Sequence, residues 1–276
     1  MIKLKFAIAA ACMFSSTTFA GPFILAGTDA DDHGFVSSLG NQDGWFFMQR
    51  SLENLGAGVT NSNRTVAILG STGSALTAAN SAFGLSSLAG AGGWTSSAVA
   101  ISNFAAFFGG TSAVNINNVG ILLMDSGSNV GGGVNGSLFS PFATGINNFI
   151  GGGGGLFSQA NGYAWLTALL PAVTVVNQQL SGLTLTAAGN VNFPGLTNAD
   201  LSSGPYHNYF QGFSPIPILA TGTSGQTPIA VIIGGVGGSI TNPGNPNPIP
   251  EPASLALLGI GLAGLEIGRA SWRERV

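Results

Sequence analysis

The sequence predicts an α/β body built on a doubly wound sheet, and three observations carry that prediction. Short uninterrupted apolar runs recur between glycine-rich turns, as strands buried on both faces do. Between them lie stretches whose apolar residues fall three and four apart, the helical spacing. No repeat with a period of about 20 to 50 residues recurs, which counts against a solenoid. An all-β surface domain is the alternative fold, and the helical periodicity of Gly44–Leu55 argues against it.

Taken in order, Gly21–Gly27 reads as a buried strand, and Thr28–Gly34 as an acidic loop. Gly44–Leu55, with Trp45, Met48, Leu52 and Leu55 on one stripe, is the clearest amphipathic helix. Thr65–Gly70 is a second strand, Ala75–Leu88 an alanine-rich helix and Ile101–Phe108 a short helix. Val119–Met124 is a strongly apolar strand running into Asp125, followed by a helix over Phe139–Ile150. Gly151–Gly155 then leads into Leu156–Gln159, and Pro171 stops a short helix over Tyr163–Leu170. Val173–Val176 and Leu183–Thr186 are further strands. Ile216–Thr221 and Ile229–Ile233, joined by a short polar turn, form an antiparallel hairpin at one edge. Strands alternating with helices in this way fit a flavodoxin-like sheet covered on both faces.

Five segments follow from composition. Residues 1–20 form a secretory signal peptide: Lys3 and Lys5 precede a short apolar core, with small residues up to Ala20 for signal peptidase. Residues 21–240 are the body, and 241–249 a Pro/Asn linker. Residues 250–265 combine Pro250-Glu251-Pro252 with an uncharged Leu/Gly/Ala run shorter than the roughly 20 residues of a full membrane span. Residues 266–276 look like a translated sequencing adapter and are set apart from the functional reading. The sole cysteine, Cys12, lies in the leader, so cleavage after Ala20 leaves no thiol for a disulfide, nucleophile or metal site. Charged residues make up 6% of the chain, and the body holds only Arg50 and Arg64 as cations. Without a basic footprint, nucleic acid is excluded as a partner.

The run Pro250–Leu265 resembles the PEP-CTERM sorting signal of exported bacterial proteins, with Pro250, Glu251 and Pro252 as its motif. That resemblance implies processing by an exosortase, transient membrane anchoring through the C-terminal segment, and a destination at the cell surface or in an exopolysaccharide matrix. A weaker resemblance concerns the body. Phe149–Phe157, with Gly204–Phe210 and the final apolar pair, is similar to class I glutamine-amidotransferase-like folds of the trehalose-utilisation type. Those with amidotransferase activity use a cysteine nucleophile that this body lacks, and Ser158 sits in no Gly-x-Ser-x-Gly elbow. The resemblance therefore implies a non-catalytic body.

Two constellations remain for ligand or chemistry. Asp29, Asp31, Asp32 and His33 form the densest polar cluster, with oxygens suited to Ca²⁺ or a sugar at the end of the first strand. His33 and His207 joined through Asp125 would make an acid/base or metal site for a hydrolase. Trp45, Trp94 and Tyr206 are the candidates for stacking on sugar rings. Gly151–Gly155 lacks the Lys-Ser/Thr of a phosphate loop and reads as a packed turn.

Overall fold

Ile121-Leu122-Leu123-Met124 has no polar position, so it can only be stable with both faces covered, and all four residues are buried. The computed structural model containing this strand describes residues 21–125, 131–159 and 163–235. The signal peptide, linker and sorting signal lie outside the described residues. From the start of the body come β1 (Phe23–Ala26), a hairpin of β2 (Gly34–Ser37) and β3 (Gly40–Gln42), and α1 (Asp43–Gly58). Next are β4 (Thr65–Leu69), α2 (Gly73–Gly84), β5 (Thr95–Val99), α3 (Phe104–Phe108) and β6 (Ile121–Met124). After these, α4 (Ala143–Gly151) leads to β7 (Gly155–Gln159), β8 (Thr174–Leu180) and β9 (Thr184–Leu185). The body ends with α5 (Ala187–Asn192), α6 (Asn198–Leu201), β10 (Tyr206–Gln211), β11 (Ile218–Ser224) and β12 (Thr227–Gly235).

Ten of these strands form one mixed sheet whose main path is β5-β4-β6-β7-β1-β12-β10-β8. The first five strands of that path are parallel, and β12, β10 and β8 continue it antiparallel. The protein is thus an α/β fold with a mostly parallel central sheet. Strands β5-β4-β6-β7 follow the 2-1-3-4 order of an open doubly wound sheet, and the first strand, β1, fills the next place. The predicted hairpin forms as β11–β12, but it lies inside the sheet. There β12 pairs with β1, β10 and β11, and β11 also pairs with β9.

Right-handed crossovers put helices on both faces. Helices α1 and α2 share one apolar cluster with Phe193 and Leu201 of the α5–α6 region. Phe104 and Phe107 of α3 and Ile146 and Ile150 of α4 belong to the other. In α1 the buried stripe is Phe47, Met48, Leu52 and Leu55, with Trp45 only partly covered. Phe47 takes the central place, edge-on to Phe157 and Phe193. Because β4→β5 and β5→β6 run in opposite directions across the sheet, the strand order reverses beside β4. Open α/β sheets bind ligands off the carboxyl ends of their strands, and Asp29, Ser71, Asp125 and Gln159 lie at those ends.

Candidate functional site at the carboxyl ends of the parallel strands

Four apolar strands each finish in a polar residue: Thr28 and Asp29 after β1, Ser71 after β4, Asp125 after β6, and Gln159 at the end of β7. All five are buried. Gln159 links Asp125 to the loop after β1, its Nε2 donating to Asp31 Oδ1 at 3.2 Å and to Asp125 Oδ1. Its Oε1 accepts from the Ala30 N–H at 3.3 Å, and Ser71 Oγ donates to Asp125 Oδ2 at 2.9 Å. One amide therefore serves two buried carboxylates, which makes this network a rigid floor.

Above that floor lie the histidines. The His207 N–H donates to the Gly27 carbonyl at 2.7 Å, and Thr28 bridges to Tyr206, so β10 continues where β1 ends. This brings His207 to Asp29, with Nε2 2.8 Å from Oδ2. The imidazole and the carboxylate are thus in direct polar contact. His33 approaches the same Oδ2 at 3.5 Å. The His33 loop is held by its carbonyl, which accepts from the Gly44 N–H at 2.8 Å and from Ser203 Oγ at 2.9 Å. Its ring packs on Gly204, where any Cβ would collide with the imidazole.

The structure therefore joins His33 and His207 through Asp29, where the sequence reading joined them through Asp125. His207 is a strand residue, not a loop residue, and Asp125 belongs to the floor beside Gln159. The acidic loop also separates. Asp29 faces the imidazoles, Asp31 turns to Gln159, and Asp32 lies against Gly131 and Ser74 at the start of α2. Ca²⁺ needs 6 to 8 converging oxygens, and these three carboxylates do not converge. Among the described residues no group of three or more His, Cys, Asp or Glu is arranged to hold a metal ion. Two of the three expected sugar-stacking residues are unsuited: Tyr206 is buried with its hydroxyl on the Thr223 carbonyl, and Trp94 is buried beneath Arg64, whereas Trp45 is half-buried with its indole N–H on the Asp31 carbonyl.

Thr28, Asp29 and His33 line a narrow cleft with Asp200, Ser203 and Gly204, its free space of about 10 Å³ suited to a group the size of a water molecule. Thr28 and Asp29 are each only 5% exposed, yet Thr28 Oγ1 and Asp29 Oδ1 have no hydrogen-bond partner among the described residues. Burial, with the Asp29 charge second, raises the Asp32 carboxyl above the usual range. Burial and then Asp200 raise Asp43 at the start of α1. Six of the seven body carboxylates, all but Glu53, thus sit at this end. Glu53 pairs with Arg50 at 2.6 Å, and Arg64 covers Trp94, so neither body arginine is committed to the cleft. Sequence reasoning missed Thr28, Ser71, Gln159 and Asp200. A common signal was available for three of them, a polar residue ending each apolar strand.

Residues 248–275 match the PEP-CTERM protein-sorting motif. The chain carries an exosortase sorting signal. The motif includes Pro250, Glu251 and Pro252 and extends to Arg275. It makes this PEP-CTERM protein an exported one, located at the cell surface or outside the cell after exosortase processing. No curated protein and no solved structure matches the chain. Among the described residues no helix is long and apolar enough to cross a membrane.

Proposed function

We propose that this PEP-CTERM protein is a component of the cell envelope or extracellular matrix whose α/β body holds a small polar group in the Thr28–Asp29–His33 cleft, beside His207, without converting it. The supporting observation is the pair of buried atoms without hydrogen-bond partners among the described residues, Thr28 Oγ1 and Asp29 Oδ1, beside the His207–Asp29 contact. Leaving such groups unpaired costs about 1–3 kcal/mol each, a cost that folds retain where a ligand supplies the missing partners. Asp29 Oδ1 accepts and Thr28 Oγ1 both donates and accepts, so a ligand hydroxyl or amine matches them. In this reading the body is a relative of flavodoxin-like, amidotransferase-like folds without their cysteine chemistry. Ser158 supports it, lying buried within β7 and not on an exposed turn.

Thr28→Val tests the reading without a known ligand. Removing an unsatisfied buried hydroxyl should stabilise the free protein by about 1–2 kcal/mol in urea unfolding. A loss of stability would mean the hydroxyl is already satisfied and would sink the proposal. The approach of both imidazoles to Asp29 favours a second reading, a hydrolase with His33 or His207 as general base. Turnover of chromogenic esters, amides or glycosides, abolished in folded His33→Ala and His207→Ala proteins, would establish that reading in place of the first.

A further inference from the structure

The opposite end of the sheet has a different chemistry. A groove of about 440 Å³ opens where the loops entering β4, β6 and β7 meet α3 and α4. Its polar lining is all amide: Asn61, Asn63, Asn117 and Asn148. Its apolar lining includes Phe108 and Ile116, and it contains no charged side chain.

The wall is built before any ligand arrives. Asn61 donates to the Val119 carbonyl at 3.0 Å and accepts from the Asn63 N–H at 3.1 Å. Asn63 donates to the Asn117 carbonyl at 3.2 Å. Asn115 and Asn118 lock the loop before β6 by accepting from the Asn117 and Asn115 N–H groups. Phe108 is held by stacking on Phe142, with ring centroids 4.4 Å apart. By contrast, the side-chain amides of Asn117 and Asn148 are exposed and make no hydrogen bond to another described residue. Opposite them Gly145 leaves the groove open: a Cβ there would lie 3.8 Å from both Ile116 and Phe108, in ordinary contact.

We propose that this groove binds a neutral glycan chain. A sugar ring has hydroxyls that both donate and accept, as each free amide does, and an apolar C–H face that fits Phe108 and Ile116. The absence of charge in the lining selects against uronate, sulfate and phosphate groups, which would be desolvated with no counter-charge. Fixed loops lower the ordering cost of binding. The proposal does not depend on what the histidine cleft does.

Affinity electrophoresis tests it, running the exported protein through native gels that contain dextran, galactomannan or hydroxyethyl cellulose, with alginate as the anionic counterpart. Retardation is expected in at least one neutral gel. It should weaken about tenfold or more in Asn117→Ala/Asn148→Ala, since two hydrogen bonds are lost. It should disappear in Gly145→Leu, which fills the groove while the melting temperature is maintained, and persist in His207→Ala at the far end. No retardation in any neutral gel, retardation by alginate alone, or retardation surviving Gly145→Leu would each overturn the proposal.

Discussion

Asp32 shows how the scarcity of cations acts on a single residue. Its carboxyl is raised above the ordinary value of 3.8, first by burial and second by the charge of Asp29, while His33 and His207 oppose the shift. A raised folded pKa means that the folded protein holds this proton more tightly than the unfolded chain. The stabilisation is therefore complete below the unfolded pKa and is lost as pH rises through the folded one. Asp43 has the same sign, with burial first and Asp200 second. Asp32→Asn removes the titration and keeps the shape. Its melting temperature should exceed that of the parent at pH 7 and show no such gain near pH 3. An equal difference at both pH values would place the effect in packing and not in charge. Gln159 solves the neighbouring problem differently, one amide giving a hydrogen bond to each of two buried carboxylates.

At the scale of elements, the start of α2 is the most informative. A helix exposes four N–H groups at its first turn, and here the 131–132 backbone supplies acceptors. The Gly131 carbonyl accepts from the Ala75 N–H at 2.9 Å, and the Gly132 carbonyl from the Thr72 N–H at 2.9 Å. This backbone cap takes the place that an anion would occupy at a free helix start. Gly132 has φ +99°, and any Cβ would collide with the carbonyl oxygen and hydroxyl of Thr72. Gly132→Ala should therefore cost about 1–3 kcal/mol and expose the Thr72 and Ala75 amides to hydrogen exchange. Unchanged protection at those two amides would show that the cap is dispensable. The elements legible in sequence were those with one dominant signal. β1, β4, β6 and β7 are apolar runs because both their faces are covered, and α1 has a stripe because only one face is. β5, Thr-Ser-Ser-Ala-Val, is polar because it forms a sheet edge, and β10, Tyr-His-Asn-Tyr-Phe-Gln, mixes aromatic and polar positions. Neither gives an apolar run. The meeting of His33 with His207 was illegible for the same reason, since it depends on β10 docking at the end of β1.

On the scale of the whole molecule, the two ends of the chain bear on how the body folds. Gly21 is buried at the entry to β1, and a Cβ there would collide with the Gly154 carbonyl oxygen. With signal-peptidase cleavage after Ala20, as the sequence reading expects, the new N-terminus would adjoin this packed backbone, and cleavage is expected before the body folds. At the other end, β12 pairs with β1, β10 and β11 and anchors the body before the Pro/Asn linker begins. In the sequence, residues 236–249 lie between the last strand and Pro250-Glu251-Pro252. Intact-mass measurement of the protein from parent and exosortase-deficient cells checks both ends at once. The parent product should begin at Gly21 and lack the apolar segment Ala253–Leu265, whereas the deficient strain should retain that segment and keep the protein in its membrane fraction. Identical C-termini in the two strains would show that the motif is not processed, and the protein would then reach its destination by another route.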